Sequence, residues 1–186
     1  MSVYKIAGVR PADIGLMVMR GSDRPILPGT RDRLLVISGR HGVRDFGADL
    51  EARNFGLKCR FITRSPAALQ YAADTLAQLL VDAYGRPKTV DLIFNDHKEQ
   101  TFKVRYSGSL PIDRLVGMGD FTLPLVAYDP FARGPEILEE MQIMASPFSK
   151  EILSSGNIRT EPVIVVTNNT PSTLTGFIIK NEYQIE

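Results

Sequence analysis

The sequence predicts an α+β fold, in which an antiparallel β-sandwich or split barrel carries one amphipathic helix on its sheet and is followed by a β-rich C-terminal appendage. Two observations support this prediction. An alternating strand pattern at 53–63 runs directly into a helical pattern that begins at residue 66, and further alternating segments follow with short turns between them. Several strands with a single helix indicate a helix laid across an antiparallel sheet, since a doubly wound fold needs more helices.

The region before this unit predicts short strands and long loops. Residues 6–30 mix brief apolar pieces with glycine and proline turns, which indicates one or two short strands. The aliphatic run at 34–37 predicts a brief buried strand. Three glycines follow at 38–47, and they indicate a shaped loop rather than the interior of a helix or strand.

Residues 53–63 alternate between apolar and polar side chains. Successive side chains of an extended chain point in opposite directions, so the pattern predicts a strand with one buried face. Cys59 falls on that face. Because buried cysteines are usually structural, we interpret Cys59 as an inert core thiol and not as a nucleophile. The buried face is predicted to consist of Phe55, Leu57, Cys59 and Phe61.

The next segment predicts an amphipathic helix. Ser65 supplies an N-cap hydroxyl and Pro66 occupies the first helical position, where its missing N–H has no cost. Gly85 and Pro87 are predicted to end the helix, the glycine as a left-handed residue just after it. The apolar face, with steps of three and four residues, is predicted to contain Leu69, Ala72, Ala73, Leu76, Leu79, Leu80 and Ala83.

After the helix the pattern returns to strands. Residues 89–94 and 101–106 predict a hairpin across the polar turn 95–100. Residues 110–115 predict an edge strand. The alternation at 121–127 predicts a last strand, which ends at an Asp-Pro pair.

A proline- and glycine-containing boundary at 130–135 divides the chain. We predict an N-terminal domain at 1–134, a linker or arm at 135–159, and a β-rich segment at 160–186. In the last segment 162–167 and 174–179 have the pattern of strands. Two strands are marginal alone. They therefore pair with the first domain or with another chain, or they begin a second β domain.

Composition excludes several classes of function. The chain has 22 basic and 21 acidic side chains, a net charge of +1, so no global field attracts it to nucleic acid or to an anionic membrane. A single cysteine excludes an intrachain disulfide and fits assembly in a reducing cytoplasm. The N-terminus lacks a secretory signal pattern, and the aliphatic runs are too short to span a bilayer.

The sequence offers little for catalysis or metal binding. With only His41 and His97, a site of several histidines is impossible, and no cysteine cluster replaces them. Residues 96–99, Asp-His-Lys-Glu, could be ligands or an acid–base pair, but a polar hairpin tip is typically a solvated face. His41 could transfer a proton, but no serine or cysteine partner lies in a recognisable catalytic motif. We therefore expect no catalytic, metal or cofactor site, and no enzyme.

The order of these segments resembles the N-terminal domain of the distal tail protein (Dit) family of siphophages and prophages, over most of residues 30–133. The run at 156–164 is similar to the entry of the galectin-like C-terminal domain that many of these proteins carry, and it breaks off soon afterwards. The segments that carry the resemblance are Gly39 to Gly47, the strand at 53–63, the helix opened by Ser65 and Pro66, Leu92 to Asp96, Lys103 to Gly108, and Phe121 to Pro130.

The resemblance implies a tail-tube-like fold and a non-enzymatic structural role at the phage tail tip. It implies a ring, usually a hexamer, assembled in the bacterial cytoplasm, which joins the tail tube to the hub or tail-associated lysin. Receptor-binding proteins and the tape measure are further partners in host attachment, and DNA passes through the lumen. No cofactor is implied.

Within that role we predict that the loop at 38–50 is a contact to another subunit or to the tube. Other classes remain open: a tail-tube or other minor tail protein of the same fold, a carbohydrate-binding module, or a hydrolase that uses His41. The absence of tryptophan disfavours sugar stacking. The predicted interface residues are Arg40, His41, Arg44, Asp45 and Phe46.

Overall fold

The computed structural model describes residues 3–153 and 156–182, and the chain divides into two compact units, 1–140 and 141–186. The first unit holds nine strands, one α-helix and a 3-10 turn at Pro11–Ile14 among its described residues. In chain order the elements are β1 (Val3–Ile6), β2 (Leu16–Val18), β3 (Thr30–Leu35), β4 (Arg44–Leu50), β5 (Arg53–Ile62), α1 (Pro66–Leu80), β6 (Thr89–Phe94), β7 (His97–Tyr106), β8 (Asp113–Leu115) and β9 (Met118–Ala127).

Seven strands form one antiparallel sheet that curls into a nearly closed barrel. The strand order is β1-β6-β7-β9-β5-β2, and β8 pairs with the first part of β9. The ladder between β5 and β9 is the longest, running from Arg53 opposite Ala127 to Ile62 opposite Met118. The α+β split barrel with one helix is therefore confirmed.

The unit formed by β5 and α1 also has the predicted form. All four apolar residues of the alternating strand, Cys59 among them, are fully buried, and burial raises the pKa of the Cys59 thiol to about 12. At the start of the helix the Ser65 hydroxyl accepts the backbone N–H of Ala68 at 3.2 Å. The side chains that the helix buries against the sheet are Leu69, Ala72, Leu76 and Leu80.

The predicted end of the helix is wrong by one turn. The helix ends at Leu80, and Val81 is already extended with φ −121° and ψ 144°. The cause is Asp82, whose carboxylate accepts two backbone N–H bonds, including one from Arg86 at 2.8 Å. Aspartate competes with the helix by binding nearby backbone in this way. Gly85 does adopt a left-handed φ of +75°, but inside this later turn.

The predicted buried strand at 34–37 is also wrong. Strands β3 and β4 form a separate two-stranded sheet in which every residue is exposed, and Leu34 and Leu35 are 51% and 47% exposed. The segment predicted as a loop becomes strand from Arg44 onward. An apolar run is buried only if the chain places it against a core, and this hairpin leaves the barrel. We call residues 30–50 the arm; the name does not refer to the linker predicted at 135–159.

The remaining strands lie where the sequence predicts them, but their first and last residues differ from the prediction. The predicted hairpin between β6 and β7 is confirmed, but its turn is only Asn95 and Asp96, because β7 begins at His97. The edge strand β8 is shorter than predicted, and β9 begins at Met118 instead of 121.

The second unit is described by itself. Its described residues, 141–153 and 156–182, include no helix and no strand, so the strands predicted at 162–167 and 174–179 are not formed. Their apolar side chains are exposed, and two strands without a partner sheet are marginal. The division into 1–134, 135–159 and 160–186 stays a prediction, and residues 1–2, 154–155 and 183–186 of it lie outside the described residues.

Candidate assembly surface

The arm presents both charged and apolar side chains to solvent. Its ion pairs lie near the base of the arm, the end that joins the barrel. Arg31 pairs with Glu51, the residue directly after the arm, at 3.3 Å, and Arg33 pairs with Asp49 at 2.9 Å. Exposed ion pairs of this kind contribute little to stability. The apolar side chains lie farther out and contact no core. They are Leu34, Leu35, Val36, Ile37, Val43 and Phe46, and Leu50 lies nearer the base.

The five predicted interface residues lie together at the outer end of the arm. Arg40 and His41 are in the connection between the two strands, and the other three begin β4. The Asp45 carboxylate accepts the backbone N–H of Gly47 at 2.8 Å. The pairing of β3 with β4 shifts register next to this point, and Phe46 is 61% exposed. Irregular pairing at such a place changes the direction of a side chain.

Two arginines that the sequence analysis missed hold the base of the arm. The Arg24 guanidinium lies 3.8 Å from the centre of the Phe94 ring and donates to both carboxylate oxygens of Asp96, at 2.9 and 2.7 Å. Arg53 lies 5.3 Å from the Phe102 ring and donates to the backbone carbonyl just before the arm, at residue 26, at 3.2 Å. We call Arg24, Arg53 and Asp96 the clamp. It joins both ends of the arm to the aromatic part of the core.

The clamp perturbs the titration of its members. Burial lowers the pKa of Arg53, and the charge of Arg24 lowers it further. The Nε atom of Arg53 is buried without a hydrogen-bond partner. Burial alone would raise the pKa of Asp96, but the hydrogen bond and charge of Arg24 outweigh it, so this pKa is lowered. A lowered carboxyl pKa means that the ionised form stabilises the folded protein.

We expect Asp96→Asn to reduce the free energy of unfolding at neutral pH by about 0.5–1 kcal/mol, since the carboxylate is half exposed and screened by solvent. Because the pKa of Asp96 is lower in the folded than in the unfolded protein, its contribution is complete above the unfolded value and is lost as the pH falls through the folded value. Urea unfolding at several pH values measures this. The difference between variant and wild type should vanish in acid, and a difference that persists at low pH would show that the ionised carboxylate is not its cause.

Residues 96–99, which could have been metal ligands or an acid–base pair, include one residue with a structural role. Asp96 belongs to the clamp, and His97, Lys98 and Glu99 are exposed residues of β7. His41 lies on the arm and His97 on the barrel. Across 3–153 and 156–182 no group of three or more histidine, cysteine or carboxylate side chains could hold a metal ion. No helix in these residues is long and apolar enough to cross a membrane.

Comparison with known proteins identifies the family. A model of the phage tail protein RIFT-related domain matches residues 10–127, which include the arm, the clamp and every strand of the barrel except β1. The chain belongs to this family of phage tail proteins. It is thus a component of the phage particle, and the predicted resemblance to siphophage tail proteins is confirmed.

A solved structure has a fold similar to that of this phage tail protein. The Dit protein (gp 19.1) of phage SPP1, described as a paradigm of the hub adsorption apparatus in phages that infect Gram-positive bacteria, is similar with a TM-score of 0.60 and 20% identity. The match covers 73% of this chain and 53% of that protein, so the chain spans about half its length. The Dit-like fold is thereby confirmed. No curated protein matches the sequence.

Proposed function

We propose that this phage tail protein is a structural subunit of the tail tip, of the distal tail type, which assembles into a ring of six copies. The ring joins the tail tube to the hub or tail-associated lysin and allows DNA to pass during ejection. The observation that carries the proposal is the arm, which extends exposed apolar side chains away from a closed core. Exposed apolar surface of this kind marks an interaction site.

A contact made by the arm joins unlike surfaces of two subunits. In a ring the arm of each copy meets a different surface of its neighbour, because an arm-to-arm contact between two copies would close as a dimer. Contacts of this type generate a ring when the rotation closes. The number of six copies is taken from the distal tail family. The arm supplies the contact between neighbouring copies that closes the ring.

The partners follow from the same role. The major tail protein lies above the ring, the hub or tail-associated lysin lies below it, and receptor-binding proteins and the tape measure are further neighbours. A net charge of +1 is compatible with DNA in transit, because a conduit must not bind the phosphate backbone strongly. The role is structural and needs no catalysis, and the reduced thiol of Cys59 fits assembly in the host cytoplasm.

Electron microscopy of the purified full chain, with mass photometry, tests the proposal. We expect single rings of six copies that stop at one layer. Long stacked tubes would favour the tail-tube alternative. A protein that stays monomeric at high concentration and binds neither tube nor hub protein would refute the proposed function.

We expect the double substitution Leu35→Ser and Phe46→Ser to abolish ring formation without changing the melting temperature. Both side chains lie outside the buried core, so removing them costs little stability. Each apolar contact buried at an interface is worth about 1.5–3 kcal/mol, so the loss of two weakens association by roughly a hundredfold or more. Tyr71→Ser on the exposed face of α1 is the control, since it removes a large exposed ring elsewhere. Rings of wild-type abundance in the double variant would show that the arm is no interface.

A further inference from the structure

A second charged surface lies along the edge strand β1 of the barrel. Three cations surround the ring of Tyr4: Lys98 Nζ at 5.0 Å, Lys5 Nζ at 5.5 Å and Arg10 Cζ at 5.7 Å from its centre. The pairing of β1 with β6 shifts register between residues 3 and 5, so Tyr4 sits at a bulge. Bulges direct side chains away from the regular ladder. We call Tyr4, Lys5, Arg10 and Lys98 the Tyr4 patch.

The charge of this patch is not compensated within the described residues. Other cations of the first unit do have carboxylate partners: Arg24 pairs with Asp96, and Lys103 pairs with Asp91 at 2.6 Å. None of the three cations of the patch has a described carboxylate within 4 Å. Three like charges around one ring repel one another, and attraction to the ring offsets only part of this repulsion. An anionic ligand would stabilise the patch.

The backbone next to the patch favours an extended ligand. Strand β1 is the last strand of the sheet on its side. Among the described residues only Ile6, at the end of the strand, has a further backbone partner beside β6, since it exchanges two hydrogen bonds with Val9 at 2.9 and 3.0 Å. The outer edge of such a strand offers unpaired backbone groups to an added strand. A peptide is therefore a better fit than a compact anion, and acidic side chains on it would meet the cations.

This chain contains a segment with those properties at residues 134–140, Gly-Pro-Glu-Ile-Leu-Glu-Glu, which we call the acidic segment. It has no helix or strand, and Glu136 and Glu140 are exposed. Ile137 and Leu138 are 66% and 79% exposed. Two backbone hydrogen bonds between Arg133 and Thr101, at 2.9 and 2.8 Å, fix the point where the segment leaves the barrel.

We propose that the Tyr4 patch of one copy binds the acidic segment of a second copy. The 22 basic and 21 acidic side chains nearly balance over the whole chain, but the Tyr4 patch is basic and the acidic segment is negatively charged. This complementary charge favours a contact in which the patch of one copy faces the segment of the next. The inference rests on the proposed assembly into a ring, to which it adds a second contact between neighbours.

Peptide binding tests recognition independently of ring formation. The receptor is the full chain with Glu136→Lys and Glu140→Lys, whose own segment no longer competes, and the probe is a fluorescein-labelled peptide of residues 133–140 followed by anisotropy. We expect binding that weakens roughly tenfold when Arg10→Glu and Lys98→Glu are added, since each exposed ion pair is modest on its own. Arg86→Glu, a single cation over the Tyr84 ring, is the matched control and should leave affinity unchanged.

Two results of this experiment would overturn the proposal. One is a peptide that fails to bind, or that binds the Arg10→Glu and Lys98→Glu protein equally well. The other is a short DNA duplex that binds the same receptor more tightly than the peptide and loses its affinity with the same two substitutions, which would make the patch a phosphate site.

Mixing variants separates a contact between copies from one within a copy. Full chain carrying Arg10→Glu and Lys98→Glu, and full chain carrying Glu136→Lys and Glu140→Lys, should each assemble less than wild type. An equimolar mixture should recover assembly, because each patch then meets a segment of opposite charge on its neighbour. No recovery in the mixture refutes binding between copies. If rings are absent even in wild type, the ring proposal fails while the peptide result still decides recognition.

Discussion

Leu76→Asp is expected to abolish cooperative folding of the first unit. Leu76 is 1% exposed in the middle of α1 and lies in the core that the helix shares with the sheet. Removing a buried leucine costs about 2–5 kcal/mol. A carboxylate at the same place is also buried without a partner, which costs several kcal/mol more. Together these approach the about 5–15 kcal/mol that holds a domain folded.

Solubility, far-UV circular dichroism and urea unfolding measure the effect. The Leu76→Asp protein should be insoluble or lack a cooperative transition. Gln78→Asp, two residues along on the exposed face of the same helix, is the control and should change stability by less than about 1 kcal/mol. A soluble Leu76→Asp protein with unchanged melting would contradict the placement of α1 on the sheet.

The strand β5 and the start of α1 could be predicted from sequence because their signals are local. The alternation of apolar and polar residues along β5 indicates which face is buried, and Ser65 followed by Pro66 indicates where the helix begins. Neither signal depends on a distant partner. The end of the helix was predicted less well, because the side chain of Asp82 binds the backbone of the following turn, and this bond competes with a helix that composition alone would continue.

The first part of the arm was predicted wrongly as a buried strand, and the segment after it was predicted wrongly as a loop throughout. Residues 34–37 are aliphatic, and sequence pattern cannot distinguish a strand buried in its own core from one that awaits another surface. The interface prediction rests on different residues, the glycine-containing segment at 38–50, and it stays a prediction. Apolar character without burial is the property that a subunit contact requires.

The clamp and the Tyr4 patch gave no sequence signal. Arg24 and Asp96 are 72 positions apart, and Lys98 is separated from Tyr4 by most of the first unit. Cations over aromatic rings have no characteristic spacing, since the sheet pairing brings them together. Such sites become visible only once the strand order is known, which explains why the charged residues of 96–99 could be interpreted only as a solvated turn.

Gly117→Ala is expected to destabilise the first unit by about 2–3 kcal/mol through overpacking of a turn. Gly117 connects β8 to β9, and its carbonyl accepts the backbone N–H and the hydroxyl of Thr63 at 2.9 and 2.7 Å. A Cβ at this position would lie 2.5 Å from the Thr63 carbonyl oxygen and 3.2 Å from the Ser65 nitrogen. These are backbone atoms at the start of α1, so they cannot rotate away as a flexible side chain would.

The turn has little capacity to adjust. The residue before the glycine, Val116, already has φ +54°, a strained value for a β-branched residue. Moving the turn outward would break the two bonds to Thr63 and disturb the N-cap at Ser65. Urea unfolding of Gly117→Ala beside Gly134→Ala isolates the effect, because a Cβ at Gly134 meets nothing within 4 Å and that variant should stay within about 0.5 kcal/mol of wild type. Equal stability of the two variants would mean that the β8–β9 turn does not pack against the start of the helix.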